Sequence, residues 1–390
     1  MQPSRRIRGL RGGGPDGWAL FYKARAMKAA GRAVTELTIG EHDVPTDPAI
    51  LAAMDRSARG GNTGYALVPG VAALRDAVAA RVSAATGVPT GPDNVLITPG
   101  AQAGLFAAHM AALDPGEKAL FIDPFYTTYP GTIRAAGGVP VPVAARAADG
   151  FQPRQGALAA AAPGARSLLI NSPNNPTGAV YDHATVEMIA DTARAHRLWL
   201  ISDEVYDSQI WAGAHVSPRA LPGMAGRTLV IGSMSKAYAM TGSRVGWVIG
   251  PQEVIAPLIE LATSTTYGVA GFVQDAALHA LSLGDDFTAR IAAPFRRRHG
   301  MVRAMLEGQN AVRAVPSEAT MYTMLDIRTT GLSGEAFAEA LLDQHAIAVM
   351  PGESFGAEAA GHIRVAMTVA DDIFEPALRT LLNFAMELSR

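Results

Sequence analysis

Lys236 follows two serines in the stretch Ser233-Met-Ser-Lys-Ala-Tyr-Ala-Met-Thr-Gly-Ser-Arg-Val-Gly-Trp247, directly after the apolar run Leu229 to Gly232. The chain holds four lysines (Lys23, Lys28, Lys118, Lys236) against twenty-nine arginines, so a lysine kept here points to chemistry that needs a removable proton. Arginine stays charged at any workable pH. A desolvated lysine loses its proton, becomes a nucleophile and can form a Schiff base with an aldehyde. Eight residues on, Arg244 offers a planar, permanently charged fork suited to a phosphate, and the hydroxyls of Ser233 and Ser235 add donors to the same group. The stretch reads as an aldehyde anchor beside a phosphate anchor. Taken singly, a lysine on a solvated turn and a surface arginine account for the same letters, so other parts of a site have to decide.

Those other parts fall just past apolar runs. Thr98-Pro-Gly-Ala-Gln-Ala-Gly places Gly100, Ala101 and Gln102 at the start of a helix, where free N–H groups and the helix dipole attract an anion; a plain helix cap is the simpler account. In Ser172-Pro-Asn-Asn-Pro-Thr-Gly178, two prolines and a glycine fix a rigid turn from which Asn175 presents its amide. A surface turn explains the Pro and Gly but not the paired asparagines. In Ser202-Asp-Glu-Val-Tyr206, a carboxylate at the end of a buried strand must be paired, so Asp203 either caps a helix or holds a pyridine nitrogen protonated with Tyr206 nearby. Tyr126, in Asp123-Pro-Phe-Tyr-Thr-Thr-Tyr-Pro130, can stack on a flat ring or pack in the core. Arg364, in His362-Ile-Arg-Val-Ala366, is costly in an apolar strand unless its fork meets an anion such as a substrate carboxylate; on an edge strand it would face water. Gly40-Glu-His-Asp43 reads as a turn able to line a pocket.

The elements that must carry these residues are legible as alternating patterns. Apolar runs at Val95–Thr98, Ala119–Asp123, Val139–Val143, Ser167–Asn171, Leu198–Ser202, Thr228–Gly232 and Val245–Gly250 alternate with helical segments, which predicts an α/β fold with a seven-stranded, mostly parallel sheet wrapped by helices. Such sheets bind ligands at the carboxyl ends of their strands. Helical spacing is also present at Trp18–Ala30, Pro48–Arg59, Val71–Thr86, Pro251–Thr263, Ala270–Leu283, Asp285–Glu307, Gly334–Gln344 and Asp371–Leu388. Short runs at Val34–Ile39, Met321–Ile327, Ala346–Met350 and His362–Ala366 predict a smaller α+β unit. The expected division is an N-terminal arm with part of the small domain (1–45), a large domain (46–284) and a small C-terminal domain (285–390).

A length of 390 residues leaves room for two cores and a buried site, and 49% hydrophobic with 17% charged residues describes a compact chain. A net charge of -2 and a pI near 6.5 give no electrostatic reason to expect nucleic acid or an anionic membrane as partner. The absence of cysteine excludes disulfides and thiolate chemistry, and no metal site is expected. The first residues carry no apolar secretory core and no run is long enough for a membrane span, so a cytoplasmic location is expected.

In this order and spacing, SPNNPTG, SDEVY and SKxxxxxGxRxGW resemble the fold-type I, class I/II aminotransferases that use pyridoxal 5'-phosphate, the aspartate aminotransferase superfamily, from about Val34 to the C-terminus. The resemblance implies a ping-pong transfer of the α-amino group of an L-amino acid to a 2-oxo acid. Lys236 would hold the cofactor as an aldimine and shuttle the proton, and Asp203 would pair with the ring nitrogen. Tyr206 and Asn175 would bind the ring hydroxyl, and Tyr126 would stack on the ring. Gly100, Ala101, Gln102, Ser233, Ser235 and Arg244 would form the phosphate cup. Arg364 would clamp the substrate carboxylate beside Gly40 and Asn175. Tyr65, in Thr63-Gly-Tyr-Ala-Leu-Val-Pro-Gly70, would reach the phosphate of a neighbouring subunit, which implies a homodimer.

Two departures bear on specificity. Tyr126 stands where many members carry tryptophan, and Gln102 stands where the acidic-substrate enzymes carry a lysine, so a neutral or basic donor gains ground over an acidic one. Met321-Tyr-Thr-Met-Leu-Asp-Ile-Arg-Thr-Thr-Gly331 has some likeness to arginine:pyruvate aminotransferases. Loops near 5–15, 40–43 and 263–272 are expected to read the side chain. A β-lyase acting on a sulfur amino acid would use nearly the same residues. A nicotinamide oxidoreductase would need its glycine fingerprint after a strand, which Gly9-Leu-Arg-Gly-Gly-Gly-Pro15 lacks. A ligand-binding regulator would need a basic DNA-binding face, which the charge does not supply.

Overall fold

The computed structural model describes residues 1–13 and 18–389. Along them run the strands β1 (Thr35–Glu36), β2 (Val95–Thr98), β3 (Lys118–Asp123), β4 (Val139–Ala144), β5 (Ala165–Asn171), β6 (Trp199–Asp203), β7 (Thr228–Ser233), β8 (Gly246–Ile249), β9 (Arg313–Ala314), β10 (Tyr322–Asp326), β11 (Ile347–Ala348), β12 (Met350–Pro351) and β13 (His362–Ala366). Each of the seven runs expected for the large sheet is a strand of it, in spatial order β2-β8-β7-β6-β5-β3-β4. All neighbours are parallel except β8, which runs antiparallel to both β2 and β7. The connections explain the exception. Helices Tyr129–Ala135, Gln155–Ala161 and His183–Ala195 span the crossovers from β3 to β6, whereas β7 reaches β8 through the single turn Met234–Ala237 and a second at Thr241–Ser243. A link that short cannot carry the chain back for a parallel return.

The central strands are largely apolar between their ends because both faces are covered. Leu120, Leu168 and Leu200 pack into a core with helix His183–Ala195 on one side, and Phe121, Leu169, Ile201 and Ile231 pack against helix Ala101–Ala112 on the other. The carboxyl ends of β3, β5, β6 and β7 therefore open in one direction, and Asp123, Asn171, Asp203 and Ser233 sit there in neighbouring registers: Asn171 pairs with Asp203, and Asp203 with Ile231.

The second sheet is antiparallel, in order β12-β13-β10-β9. Its core draws on both ends of the chain: Leu20, Ala24, Val34 and Leu37 pack with Phe337, Phe374, Leu378 and Leu381. Two expected strands are shorter than predicted. After Glu36 the backbone leaves its parallel pairing with β11, and the Leu37 carbonyl instead accepts from the Ala366 N–H (2.9 Å). Val349 separates β11 from β12, which belong to different sheets. Of the loop 5–15 expected to read the side chain, residues 14 and 15 lie outside the described residues, and Arg5–Arg8 forms a helical turn capped by Ser4. No helix among the described residues is long and apolar enough to cross a membrane.

Candidate active site

The carboxyl ends of the strands and the inner face of the second sheet enclose a cavity of about 320 Å³. Lys236, Asp203, Tyr206, Ala101, Gln102, Tyr126, Asn175, Ser233, Ser235, Arg244, Gly40 and Arg364 all line it. Gly100 adjoins it as the residue before helix Ala101–Ala112. Tyr65 does not line it; the side chain is 92% exposed and its ring meets Tyr267 edge-on at 5.0 Å.

One end of the cavity is built for an anion. Helix Ala101–Ala112 begins here with no acidic residue in its first turn, so its free N–H groups present the positive end of the dipole. Gly100 has φ +78, and a Cβ at that position would lie 2.5 Å from Arg244 Nη2, so only glycine lets the arginine fork lie over the helix start. Arg244 itself is left-handed (φ 51, ψ 56), a conformation a non-glycine residue holds only where its surroundings enforce it. Its Nη1 donates to the Thr241 carbonyl at 3.0 Å. Ser233 caps the turn 234–237: its Oγ accepts from the Ser235 N–H and donates to Ser235 Oγ, both at 3.0 Å.

Lys236 Nζ donates to the Gly40 carbonyl, and the Lys236 carbonyl accepts from Gln209 Nε2 at 3.2 Å. Gly40 is required by Tyr322, whose hydroxyl would be 1.7 Å from a Cβ there. Asp203, at the end of β6, is not a helix cap. Its Oδ2 accepts from the Tyr129 hydroxyl at 2.7 Å and its Oδ1 from the Val205 N–H at 3.4 Å. Burial pushes this carboxyl up to about 6, against the pull of those two hydrogen bonds. An acid so placed, with two donors and no cation of its own, suits a protonated ring nitrogen. Burial also raises Tyr126 to about 12, and Tyr206, 3.1 Å from the Tyr322 hydroxyl, well above its ordinary value, so both remain phenols.

Arg364 is no edge residue. It lies on β13 between β12 and β10, 4% exposed, with Nη1 donating to Asn175 Oδ1 (2.8 Å), Nη2 to the Thr38 carbonyl, and Nε without a partner. The guanidinium lies 4.2 Å from the Tyr322 ring centroid and 4.5 Å from that of Phe355. A buried cation held by two neutral acceptors and two rings keeps its charge for an anionic ligand. Gln102 is held between Thr128 and Thr132, at 3.1 and 2.9 Å, so it presents a fixed neutral amide.

Several lining residues escape a reading of the sequence. Tyr129 is three residues past Tyr126 in the same motif, and a turn closed by the Tyr129 N–H on the Tyr126 carbonyl (2.9 Å) brings their rings within 5.8 Å. Asn171 donates from Nδ2 to the Asp203 carbonyl (2.9 Å) and accepts the Asn175 N–H (2.8 Å), locking the SPNNPTG turn to β6. Tyr322 sits opposite Ala366 and diagonal to Arg364, which only the β10–β13 register reveals. Trp18 and Phe21, rings 5.5 Å apart, line the cavity from helix Trp18–Ala29.

The residues fit pyridoxal phosphate in charge and shape: a hydroxyl, guanidinium and helix-start cradle that a Cβ would fill, a buried acid, an amine, and a tyrosine on the wall between them. The comparisons agree. The family model for aminotransferase class I and II matches residues 32–381. The arginine–pyruvate transaminase of Pseudomonas aeruginosa is 40% identical over 380 residues, 97% of each chain, and the aspartate/prephenate aminotransferase of Thermus thermophilus is 33% identical over 95% of each. The solved aspartate aminotransferase of Thermus thermophilus with maleate superposes at a TM-score of 0.92 with 32% identity, over 98% of this chain and 100% of that one. The chain belongs to the class I and II aminotransferases and is a transaminase that uses pyridoxal 5'-phosphate.

Proposed function

We propose that this enzyme moves the α-amino group of a neutral or cationic L-amino acid to a 2-oxo acid, with Lys236 as the group that binds the cofactor and moves the proton at the substrate Cα. The observation that carries the reading is the convergence of Lys236 and Arg244, Asp203, and Arg364 on one cavity from three separate stretches of the chain. Pyridoxal phosphate, when bound, supplies an aldehyde carbon for nitrogen and a ring that accepts the electrons freed at Cα.

The chain's own residues do the rest. Ser233, Ser235, Arg244 and the helix start at Gly100, Ala101 and Gln102 would hold the phosphate, and Tyr126 would pack beside the ring. Asp203, oriented by Tyr129, holds the ring nitrogen's proton, and Tyr206 with Asn175 serves the ring hydroxyl. Arg364, fixed by Asn175 and Thr38, grips the α-carboxylate beside Gly40 and so orients the Cα hydrogen toward Lys236. Tyr322, Phe355, Trp18 and Phe21 exclude water.

The donor class follows from what is left over. Among the described lining residues the lysine and arginines are Lys236, Arg244 and Arg364, each already assigned, and Gln102 is neutral. No cation remains for a second carboxylate. The 40% identity to an arginine–pyruvate transaminase points the same way. The test is a panel of L-amino acids against pyruvate and 2-oxoglutarate, read by the absorbance change as each donor converts the bound aldehyde to its amine form. Conversion fastest with aspartate or glutamate would reject the donor class, and keto acid release without an acceptor would reject transamination in favour of a lyase.

A further inference from the structure

Behind Asp203, on the side away from the cavity, lies a charged cluster with no part in the chemistry described so far. Glu204 follows Asp203 in the chain, and its N–H is held by the Ile231 carbonyl of β7 at 2.9 Å. Three side chains converge on its carboxylate. Ser202 Oγ and Ser217 Oγ donate to Oε1 at 2.8 and 2.7 Å, and His215 Nε2 lies 3.0 Å from Oε2. The His215 and Glu204 side chains are 16% and 10% exposed. An enclosed ion pair adds little stability over apolar packing, yet removing one partner strands the other charge. A pair kept here, one residue from the acid that faces the ring, therefore calls for an electrostatic role.

We infer that His215 is a positioning residue for Asp203 acting through Glu204: its imidazolium neutralises the Glu204 carboxylate and holds it behind the end of β6, so that the cavity feels the charge of Asp203 alone. This rests on the reading of Asp203 as the partner of the cofactor's ring nitrogen. Burial lowers the His215 pKa, but the charge and hydrogen bond of Glu204 outweigh it and leave the ring above its ordinary 6.5. Glu204 in turn raises Asp203. The other charges facing the pair are Asp207, itself paired with Arg81 at 2.9 Å, and Arg219, which donates to the Ala225 carbonyl and to Thr90 at 3.1 and 3.3 Å. None of these bonds to the Glu204 carboxylate; Arg219 feels its charge without touching it, and His215 is the cation in contact with it.

The experiment is a pH titration of the bound cofactor's absorbance in wild type, His215→Gln, Glu204→Gln and the double variant. Glutamine keeps a donor to Glu204 but loses the charge. By Coulomb's law at an effective dielectric near 20, one unit charge moves the midpoint of a group about 10 Å away by about one pH unit. The expected result is an upward shift of that size in His215→Gln and a return to the wild-type midpoint in the double variant, where both charges are gone. An unmoved midpoint in a coloured His215→Gln protein would overturn the inference, as would a double variant shifted as far as the single one, since that is the mark of packing. Should the variants fail to fold, the NMR titration of His215 in the wild-type chain decides: a midpoint at or below 6.5 rejects the ion pair. A wild-type protein that stays colourless with pyridoxal phosphate would sink the functional reading instead, and the NMR titration would still judge the pair.

Discussion

At the residue scale, the cavity separates two kinds of side chain. With Lys236 as the proposed group at the reacting carbon, Lys236→Ala should abolish the absorbance band that depends on the lysine–aldehyde bond and cut turnover by about 10²–10⁴-fold, the range a positioned general base supplies. A coloured, active variant, followed by spectrum and steady-state rate, would remove Lys236 from the centre of the site. For Gln102 the proposed role is in the choice of substrate. Its amide is held by Thr128 and Thr132 at the cavity wall, so Gln102→Lys places a cation where none remains for a second carboxylate. One charge-assisted hydrogen bond is worth about 1.5–3 kcal/mol, which predicts roughly a tenfold or greater fall in KM for glutamate or 2-oxoglutarate. An unchanged KM for both would show that Gln102 does not face the substrate's far end. Both residues are legible in the sequence, because lysine is scarce in this chain and Gln102 sits in a helix-opening motif. Tyr129 and Tyr322 are not, because what they touch is set by helix phase and by the pairing of Tyr322 with Ala366 across two strands.

At the scale of elements, the loop 355–358 is fastened to the end of β3 instead of to its own sheet. The Phe125 N–H donates to the Phe355 carbonyl (2.9 Å), and the Asp123 carboxylate accepts the N–H groups of Ala357 (2.9 Å) and Glu358 (3.4 Å). Gly356 allows the approach, since a Cβ there would lie 1.9 Å from Asp123 Oδ1. The loop carries Phe355, whose ring lies against Arg364, so this tie sets one wall of the carboxylate clamp. Burial raises the Asp123 carboxyl from 3.8 to about 6. The folded chain thus holds a proton that the unfolded chain releases at lower pH, and the stability this proton contributes is full below 3.8 and lost as pH rises through 6. Relative to Asp123→Asn, which cannot ionise, wild type should lose about 3 kcal/mol of unfolding free energy between about pH 4 and 7. Urea unfolding of both proteins across that range tests it, and a difference that stays flat with pH would reject the raised value. The strands themselves are readable from the sequence because β3, β5, β6 and β7 are buried on both faces and carry apolar runs between their polar ends. The ties between elements are not, since a backbone N–H from the second half of the chain leaves no mark in the first.

At the scale of the whole molecule, Tyr65 lies outside the cavity of its own subunit. It is 92% exposed beside Leu67 at 66% and Tyr267 at 52%, and Tyr65 and Tyr267 stand edge to face on two adjoining loops. Exposed aromatic and aliphatic side chains gathered this way favour a protein partner over water, and we propose that the partner is a second copy whose phosphate cradle Tyr65 enters. Sedimentation should then report twice the 40.7 kDa of one chain. The sharper test mixes subunits. Tyr65→Ala removes one hydrogen bond to a charged phosphate and should weaken cofactor binding about tenfold, while Lys236→Ala alone forms no coloured complex. If Tyr65 serves the other subunit, unfolding and refolding the two variants together creates mixed dimers in which one site has an intact lysine from one chain and an intact tyrosine from the other. That mixture should recover a population of sites with wild-type affinity, seen as a tight phase in the absorbance titration that neither variant shows alone. If Tyr65 serves its own subunit, every coloured site in the mixture still lacks its tyrosine, and no tight phase can appear however the chains recombine.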